Sequence, residues 1–526
     1  MTRRPGVLFD LVFAALAVLA AVPLWLVQHP PIEDLPQHLA AIRVLHDFHD
    51  PALHFARYFE LHLGRTQYLA YYLAADLLAY LSGVIVANKL LVSAAIIATP
   101  YAMRAFLRAL GRDERLALFV LPLTWNAHLV LGFLNFIAAI PLALAGLALA
   151  VNLRLRWSLR RAVLLAVVSV VTFYTHVVPF GFLGIGAALV GVEAFDRKLF
   201  RREAIWSTAR RWLPLIPAIV AVAVWFKTAP AGQSTLTAAL GKAAAGGPQP
   251  KYAAWLDSLR QAPDWLTNVL VVKADDKLLV GWALLVMLAI GLGAGARDTD
   301  RASPEDDVLR GTLTRRLAWL APLAAFFYFI TPTGYGWIWP INARFPLLAL
   351  LFLVPVLPAQ RRLAGWLVFA GVVAISALSF NAVGWAFQRF EKDEVGQLDT
   401  AIEQIPKGAR VAGLIFNSGS GYVRFTPFLH AVAWYQATRG GAVMFTFADF
   451  PESPFSFRED NRPPRVRPRW EWEPQRVDPA RDLGWYQYVL VRGGPGRIAQ
   501  EQNVYRRIWR SPRWSVYKRI RGAQAP

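Results

Sequence analysis

No cysteine occurs among the 526 residues of the sequence. Disulfide scaffolds, thiolate zinc sites and cysteine nucleophiles are therefore excluded. Charge is scarce too: 17% of residues are Asp, Glu, Lys or Arg, against about a quarter in an ordinary soluble protein. What is abundant is apolar surface, with 56% of residues hydrophobic and a mean hydropathy of +0.36. Apolar stretches of about 20 residues recur along most of the chain, the pattern of a polytopic α-helical membrane protein. No internal repeat or Gly-rich nucleotide loop stands out, and Gly419-Ser420-Gly421 reads as a turn.

Eleven transmembrane helices are expected, at 7–28, 84–103, 116–131, 133–151, 162–179, 180–195, 212–228, 278–296, 317–331, 345–359 and 363–380. The first lacks a small-residue cleavage site and reads as a retained anchor. A twelfth apolar stretch, 66–82, carries Asp76 in its middle. Basic residues decide its place, because short cytoplasmic loops are enriched in Lys and Arg. Loops 104–115, 154–161, 197–211, 297–316 and 361–362 carry four, four, six, five and two of them. All fall on the side of Arg3 and Arg4 if 66–82 lies along the outer surface, and all fall opposite if it spans. An interfacial helix is therefore expected there. Residues 29–83 then form a large outer loop, 229–277 a second and 332–344 a third, while 381–526 form an extracytoplasmic C-terminal α/β domain. The body is 1–380.

The formal net charge of +21 does not point to nucleic acid. The basic residues of the cytoplasmic loops orient the chain and meet acidic membrane lipid. In the C-terminal domain the pattern predicts helices at 391–405, 427–438 and 498–510, with strands at 409–416, 442–447, 485–492 and 513–519. Residues 461–476, NRPPRVRPRWEWEPQR, are too rich in Pro and Arg for regular structure.

The residues able to carry chemistry concentrate at the expected outer face. The first outer loop opens Ile32-Glu33-Asp34-Leu35-Pro36-Gln37-His38. A carboxylate at Asp34 or Glu33 can take a proton from an acceptor hydroxyl as general base. Asp34 before Pro36 is also an ordinary helix N-cap. Asp34 and His38, four apart, share a helix face and make a weak metal-ligand pair, so a divalent metal ion is the cofactor these residues suggest. Six of the nine histidines lie between 29 and 62, and His46 and His49 with Asp47 and Asp50 form a second metal candidate. Asn126, His128, Asn135 and His176 are polar groups at the outer ends of spans, where they are costly and call for an account. Arg344 follows Tyr335, Trp337 and Trp339. Its guanidinium can hold a phosphate bidentately, or it can be a snorkelling arginine beside belt tryptophans.

Glu33-Asp34 with His38, followed by TQYLAYYLAADLLAYLSG, resembles the GT-C glycosyltransferases, and the architecture resembles them along the whole chain. Leu69 and Tyr71 or Tyr72 stand where that family has a Pro-x-Leu-x-Tyr-like helix. The proline is missing, and the acids run Glu-Asp where many members have Asp-Glu. The resemblance implies a membrane glycosyltransferase of the inverting type, set in a bacterial inner membrane with its N-terminus cytoplasmic. A sugar would pass from a polyprenyl-phosphate-linked donor to a glycan or lipid acceptor on the extracytoplasmic face. Asp34 would be the base with Glu33 as partner or alternate, and His38 would orient the acceptor or a metal. Arg344 would bind the donor phosphate, with His176 as a weaker candidate. Tyr335, Trp337 and Trp339 would stack on sugar or prenyl, and Asn126 and His128 would complete the substrate-binding set. Two other classes compete: a lipid or glycan transporter, which would need charged or broken helices near the midplane, and a non-catalytic membrane scaffold.

Overall fold

The computed structural model describes residues 6–193, 201–230, 232–233, 249–293, 304–336, 338–360, 363–464, 470–494 and 496–520. Trp337, the middle of the Pro- and Arg-rich stretch and parts of three basic loops lie outside them. The chain forms two compact units. One comprises Met1–Pro23, Val92–Leu129 and Leu134–Val383; the other comprises Leu24–Leu91, Val130–Phe133 and Gly384–Pro526.

Helices dominate the first unit. Across the described chain six helices are long and apolar enough to cross a membrane: Val84–Ala109, Leu134–Leu155, Arg202–Thr228, Ala274–Gly293, Glu305–Ile330 and Gly365–Val395. Val7–Leu19, Leu69–Ser82, Val177–Gly191 and Arg344–Val356 are apolar but shorter. The count of eleven full-length spans is thus not confirmed among the described residues, and proline is one reason. The stretch at 116–131 is a 3-10 run, Glu114–Leu123, and a short helix, Ala127–Leu131. Pro122 lies within that run, and proline breaks the α-helical ladder because it offers no N–H. Similarly, the first helix ends at Leu19 and gives way to a 3-10 turn, Val22–Trp25, containing Pro23. Leu116 through Leu121, in the 3-10 run Glu114–Leu123, are all nearly inaccessible.

The second unit carries the sheet. Its five strands run in the order Ala442–Val443, Arg410–Ile415, Tyr488–Arg492, Trp514–Arg519, Tyr505–Arg510. The first three are parallel, and the last two join antiparallel. Tyr488–Arg492 is buried at every position, as a central strand covered on both faces must be. The expected helix at 498–510 is instead a 3-10 turn, Arg497–Ala499, and the edge strand Tyr505–Arg510. The chain Tyr-Arg-Arg-Ile-Trp-Arg is rich in aromatic and β-branched residues and pairs with its neighbour through a hairpin at Ser511-Pro512. The expected helices at 391–405 and 427–438 shrink to Leu398–Glu403, after a π turn at Glu391–Val395, and to Ala433–Arg439.

Helix Leu69–Ser82, the expected interfacial helix, buries Tyr71, Tyr72, Ala75 and Ala79 and exposes Leu73, Leu77, Tyr80 and Leu81. Those exposed positions repeat at helical spacing, giving one apolar outer stripe.

Candidate functional site

Asp34 precedes helix Leu35–His46, whose first turn contains Pro36. It occupies the cap position, yet its side chain makes no capping bond. The carboxylate turns instead to His430, whose Nε2 lies 2.9 Å from Oδ1. On its other side, His430 Nδ1 lies 2.8 Å from Glu471 Oε1. An imidazole with a carboxylate on each side ion-pairs with both only as the cation. Burial works against that charge, but Glu471 and Asp34 outweigh it and hold the His430 pKa well above its ordinary value.

Two backbone bonds fix this turn in space. Glu33 and Asp34 donate their N–H groups to the carbonyls of Val130 and Leu131, at 2.8 and 3.2 Å. Glu33 is buried, and its Oε2 accepts from the Thr426 backbone N–H at 2.9 Å and the Thr426 hydroxyl at 2.6 Å. Burial, with the neighbouring Asp34 charge, lifts the Glu33 pKa to about 7. Asp34 keeps a quarter of its side chain accessible. The adjacent acids are therefore unequal: Glu33 is inward and tethered, and Asp34 is accessible and oriented.

His38, one turn along, is fixed as the neutral form. The Tyr72 hydroxyl lies 3.0 Å from Nδ1, and Nε2 lies 2.8 Å from the Gly132 carbonyl, a pairing that makes Nδ1 the acceptor and Nε2–H the donor. Burial lowers its pKa to about 4. Both ring nitrogens are engaged, and the group whose ligand atoms converge within 4.8 Å is Glu33, Asp34 and His430, without His38. The second metal candidate does not assemble among the described residues. His46 Nδ1 bonds Asp76 at 2.8 Å, and Arg43 takes Asp47.

The remaining candidates belong to the first unit. Arg344 opens helix Arg344–Leu353 and is buried. Its guanidinium donates to the carbonyls of Pro340 and Ile341. His128 donates from Nε2 to the Ala343 carbonyl at 2.9 Å, and the Phe136 ring lies 5.3 Å from both His128 and His176. Arg344 is an electrostatic neighbour of both histidines. His176 caps helix Val177–Gly191 by accepting from the Val178 N–H. Trp339 is 55% exposed and meets the Trp265 ring edge-on at 6.0 Å. Tyr335 sits in a short strand paired with Pro250. Asn126 does something plainer: its Oδ1 accepts from the N–H groups of His128 and Leu129, so it caps the helix Ala127–Leu131. Asn135 is buried.

Thr426 and His430 did not stand out in the sequence, because they lie nearly 400 residues from the acids they hold, and Glu471 acts only through His430. One signal was available: His430 is the ninth histidine, apart from the six clustered ones.

No family model matches the sequence, and no curated protein matches it. Solved structures do. The crystal structure of ArnT from Cupriavidus metallidurans bound to undecaprenyl phosphate is similar across 99% of this chain and 100% of that one, at 13% identity and a TM-score of 0.50. The same protein in the apo state covers 98% and 99% at 12% identity, with a TM-score of 0.48. The chain therefore has an ArnT-like fold along nearly its whole length, and six of its described helices are long and apolar enough to cross a membrane.

Proposed function

We propose that this chain is a membrane glycosyltransferase that uses a polyprenyl-phosphate-linked sugar donor, with Asp34 as general base. The observation that carries the proposal is the asymmetry of the paired acids. Asp34 is oriented by His430 and partly open, while Glu33 is withdrawn onto Thr426. A base must be held in one direction and still reach the acceptor, and of the two acids Asp34 meets both conditions.

In the reaction, Asp34 takes the proton of the acceptor hydroxyl as its oxygen bonds to the anomeric carbon. The bond from that carbon to the phosphate oxygen breaks on the opposite face, so the configuration inverts and polyprenyl phosphate leaves. Arg344 is the proposed residue for the donor phosphate, because a guanidinium offers paired donors to negative charge. His128 and His176 shape its surroundings, and the exposed face of Trp339 suits a sugar or isoprenoid surface. His430 is a positioning residue: it fixes the Asp34 carboxylate, and Glu471 fixes His430. His38, neutral and bonded at both nitrogens, holds the Gly132 turn against the base. The donor atoms of Glu33, Asp34 and His430 converge, but His430 held as the cation between Asp34 and Glu471 has no lone pair to give a divalent cation, so no step is assigned to a metal. The ArnT crystal structure contains undecaprenyl phosphate, which supports the choice of lipid carrier. The distribution of basic loops supports reaction on the extracytoplasmic face, and the resemblance implies a bacterial inner membrane.

The test uses right-side-out and inverted membrane vesicles containing the protein and a radiolabelled polyprenyl-phosphate-sugar pool. Label should reach an acceptor only where the outer face is exposed. Label moved only on the cytoplasmic face, or lipid crossing the bilayer without glycosyl transfer, would reject this reading.

A further inference from the structure

Three of the basic loops expected on the cytoplasmic side, 154–161, 197–211 and 297–316, send arginines to one place. Arg154, at the end of helix Leu134–Leu155, and Arg211, in helix Arg202–Trp212, both pair with Glu193. Arg316, in helix Pro304–Ala318, donates to the carbonyls of Leu189, Val192 and Glu193 itself. The charged neighbours of Arg154 are Arg211, Glu193 and Arg316. Three guanidiniums thus face one carboxylate, and two positive charges stay uncompensated.

Arg210, next to Arg211 in the chain, is held differently. Its guanidinium lies 3.7 Å from the centroid of the Trp157 ring. A guanidinium stacked on a ring keeps its N–H groups in its own plane, clear of the ring. Arg210 ion-pairs with no acid among the described residues. Its planar fork is therefore preset for an anion that takes two bonds side by side, as a phosphate does. The neighbouring side chains are apolar. Trp206 is 66% exposed and lies four residues before Arg210, on the same helix face. Leu159, Ile205 and Leu213 are exposed as well. Tryptophan and aliphatic side chains beside arginine suit a membrane interface, so a phosphate that carries acyl chains fits here, whereas a free one leaves them in water. The uncompensated charge selects further: it favours a headgroup of net negative charge over one whose phosphate is offset by its own ammonium.

We infer that Arg210 and Trp157, backed by Arg154 and Arg211, bind the headgroup phosphate of one acidic phospholipid in the leaflet that the basic loops face. Basic loops in general attract acidic lipid diffusely; here the charge is gathered into a discrete site around a preset arginine. The bound headgroup balances the charge where the helix ends meet. The site is separate from the acids at 33 and 34, and the inference does not depend on the transferase reading.

The experiment is native mass spectrometry of the full-length protein in detergent, titrated at constant ionic strength with phosphatidylglycerol, phosphatidylcholine or inorganic phosphate. Wild type should take up one phosphatidylglycerol at about tenfold lower concentration than phosphatidylcholine. Arg210→Gln removes the fork at an exposed position and should need about fivefold more phosphatidylglycerol. Arg108→Gln removes an exposed arginine from a different basic loop, 104–115, and should titrate as wild type. Equal uptake of the two lipids by wild type overturns the inference, as does an Arg210→Gln titration identical to wild type. Equal losses in Arg210→Gln and Arg108→Gln overturn it in favour of diffuse attraction. Displacement of phosphatidylglycerol by inorganic phosphate at the same concentration overturns the lipid as occupant.

Discussion

Gly132→Ala places a methyl group directly against the proposed base. Gly132 has φ +93°, a left-handed conformation, and a Cβ built there would stand 2.6 Å from the Asp34 Cβ and 2.8 Å from its backbone nitrogen. Contacts between such atoms settle at about 3.4 Å or more, so the Asp34 turn and the Gly132 turn must part by nearly ~1 Å. The bonds that hold them together are Glu33 N–H to Val130 and Asp34 N–H to Leu131, and the second is already 3.2 Å long. Losing one or both costs about 1 kcal/mol each, and an alanine held at that φ costs about 1–2 kcal/mol more. The variant should therefore be about 2–4 kcal/mol less stable. A displacement of about 1 Å in a catalytic group typically lowers the rate about 100-fold. The assay is label transfer from the polyprenyl-phosphate-sugar donor, run below the melting temperature of the variant, with thermal unfolding measured in parallel. A Gly132→Ala protein that is folded and transfers label within threefold of wild type would refute the account of how Asp34 is positioned.

Three further outcomes follow from the same geometry. His29 is buried between Glu391 and Asp399, at 3.0 and 3.1 Å; burial opposes its charge, but the two acids raise its pKa from 6.5 to about 9. That contribution, at most about 3 kcal/mol because half-exposed Asp399 is screened, is complete below pH ~6.5 and disappears as pH rises through about 9, so a pH series of melting curves should slope over that window in wild type and lose most of the slope in His29→Gln. Thr426→Val removes the hydroxyl bond to buried Glu33 while keeping the backbone bond, and should cost about 1–2 kcal/mol by chemical unfolding; no measurable change would mean that Glu33 has another support. Asn126→Ala should lower stability by about 1 kcal/mol, the worth of a cap, while leaving the KM for the lipid donor unchanged; a large KM increase would return Asn126 to the substrate site.

Glu33, Asp34 and His38 were legible as a set because the sequence places them in one turn and a half of helix, directly after an apolar anchor. Their partners were not legible, since Thr426, His430 and Glu471 reach them only through the tertiary fold. Hydropathy identified the buried segments well but gave no means to see that Pro23 and Pro122 sit where 3-10 turns replace α-helix. Asp34 had two readings in sequence, cap or base; in the fold it occupies the cap position without a side-chain capping bond, its carboxylate paired with His430. Asn126 has its side-chain oxygen on the N–H groups of His128 and Leu129, at a helix end. The strand at Tyr505–Arg510 was misread as helix because its long basic side chains hid a β-rich composition that only pairing with Trp514–Arg519 reveals.

The measurement that tests the central claim most directly is the initial rate of sugar transfer from the polyprenyl-phosphate donor by wild type, Asp34→Asn and Glu33→Gln, at matched expression and melting temperature. A general base contributes about 100- to 10,000-fold. The account predicts a loss in that range for Asp34→Asn, with donor binding unchanged, and a smaller loss for Glu33→Gln. Full activity in Asp34→Asn with activity abolished in Glu33→Gln would contradict it and give the base to the buried acid.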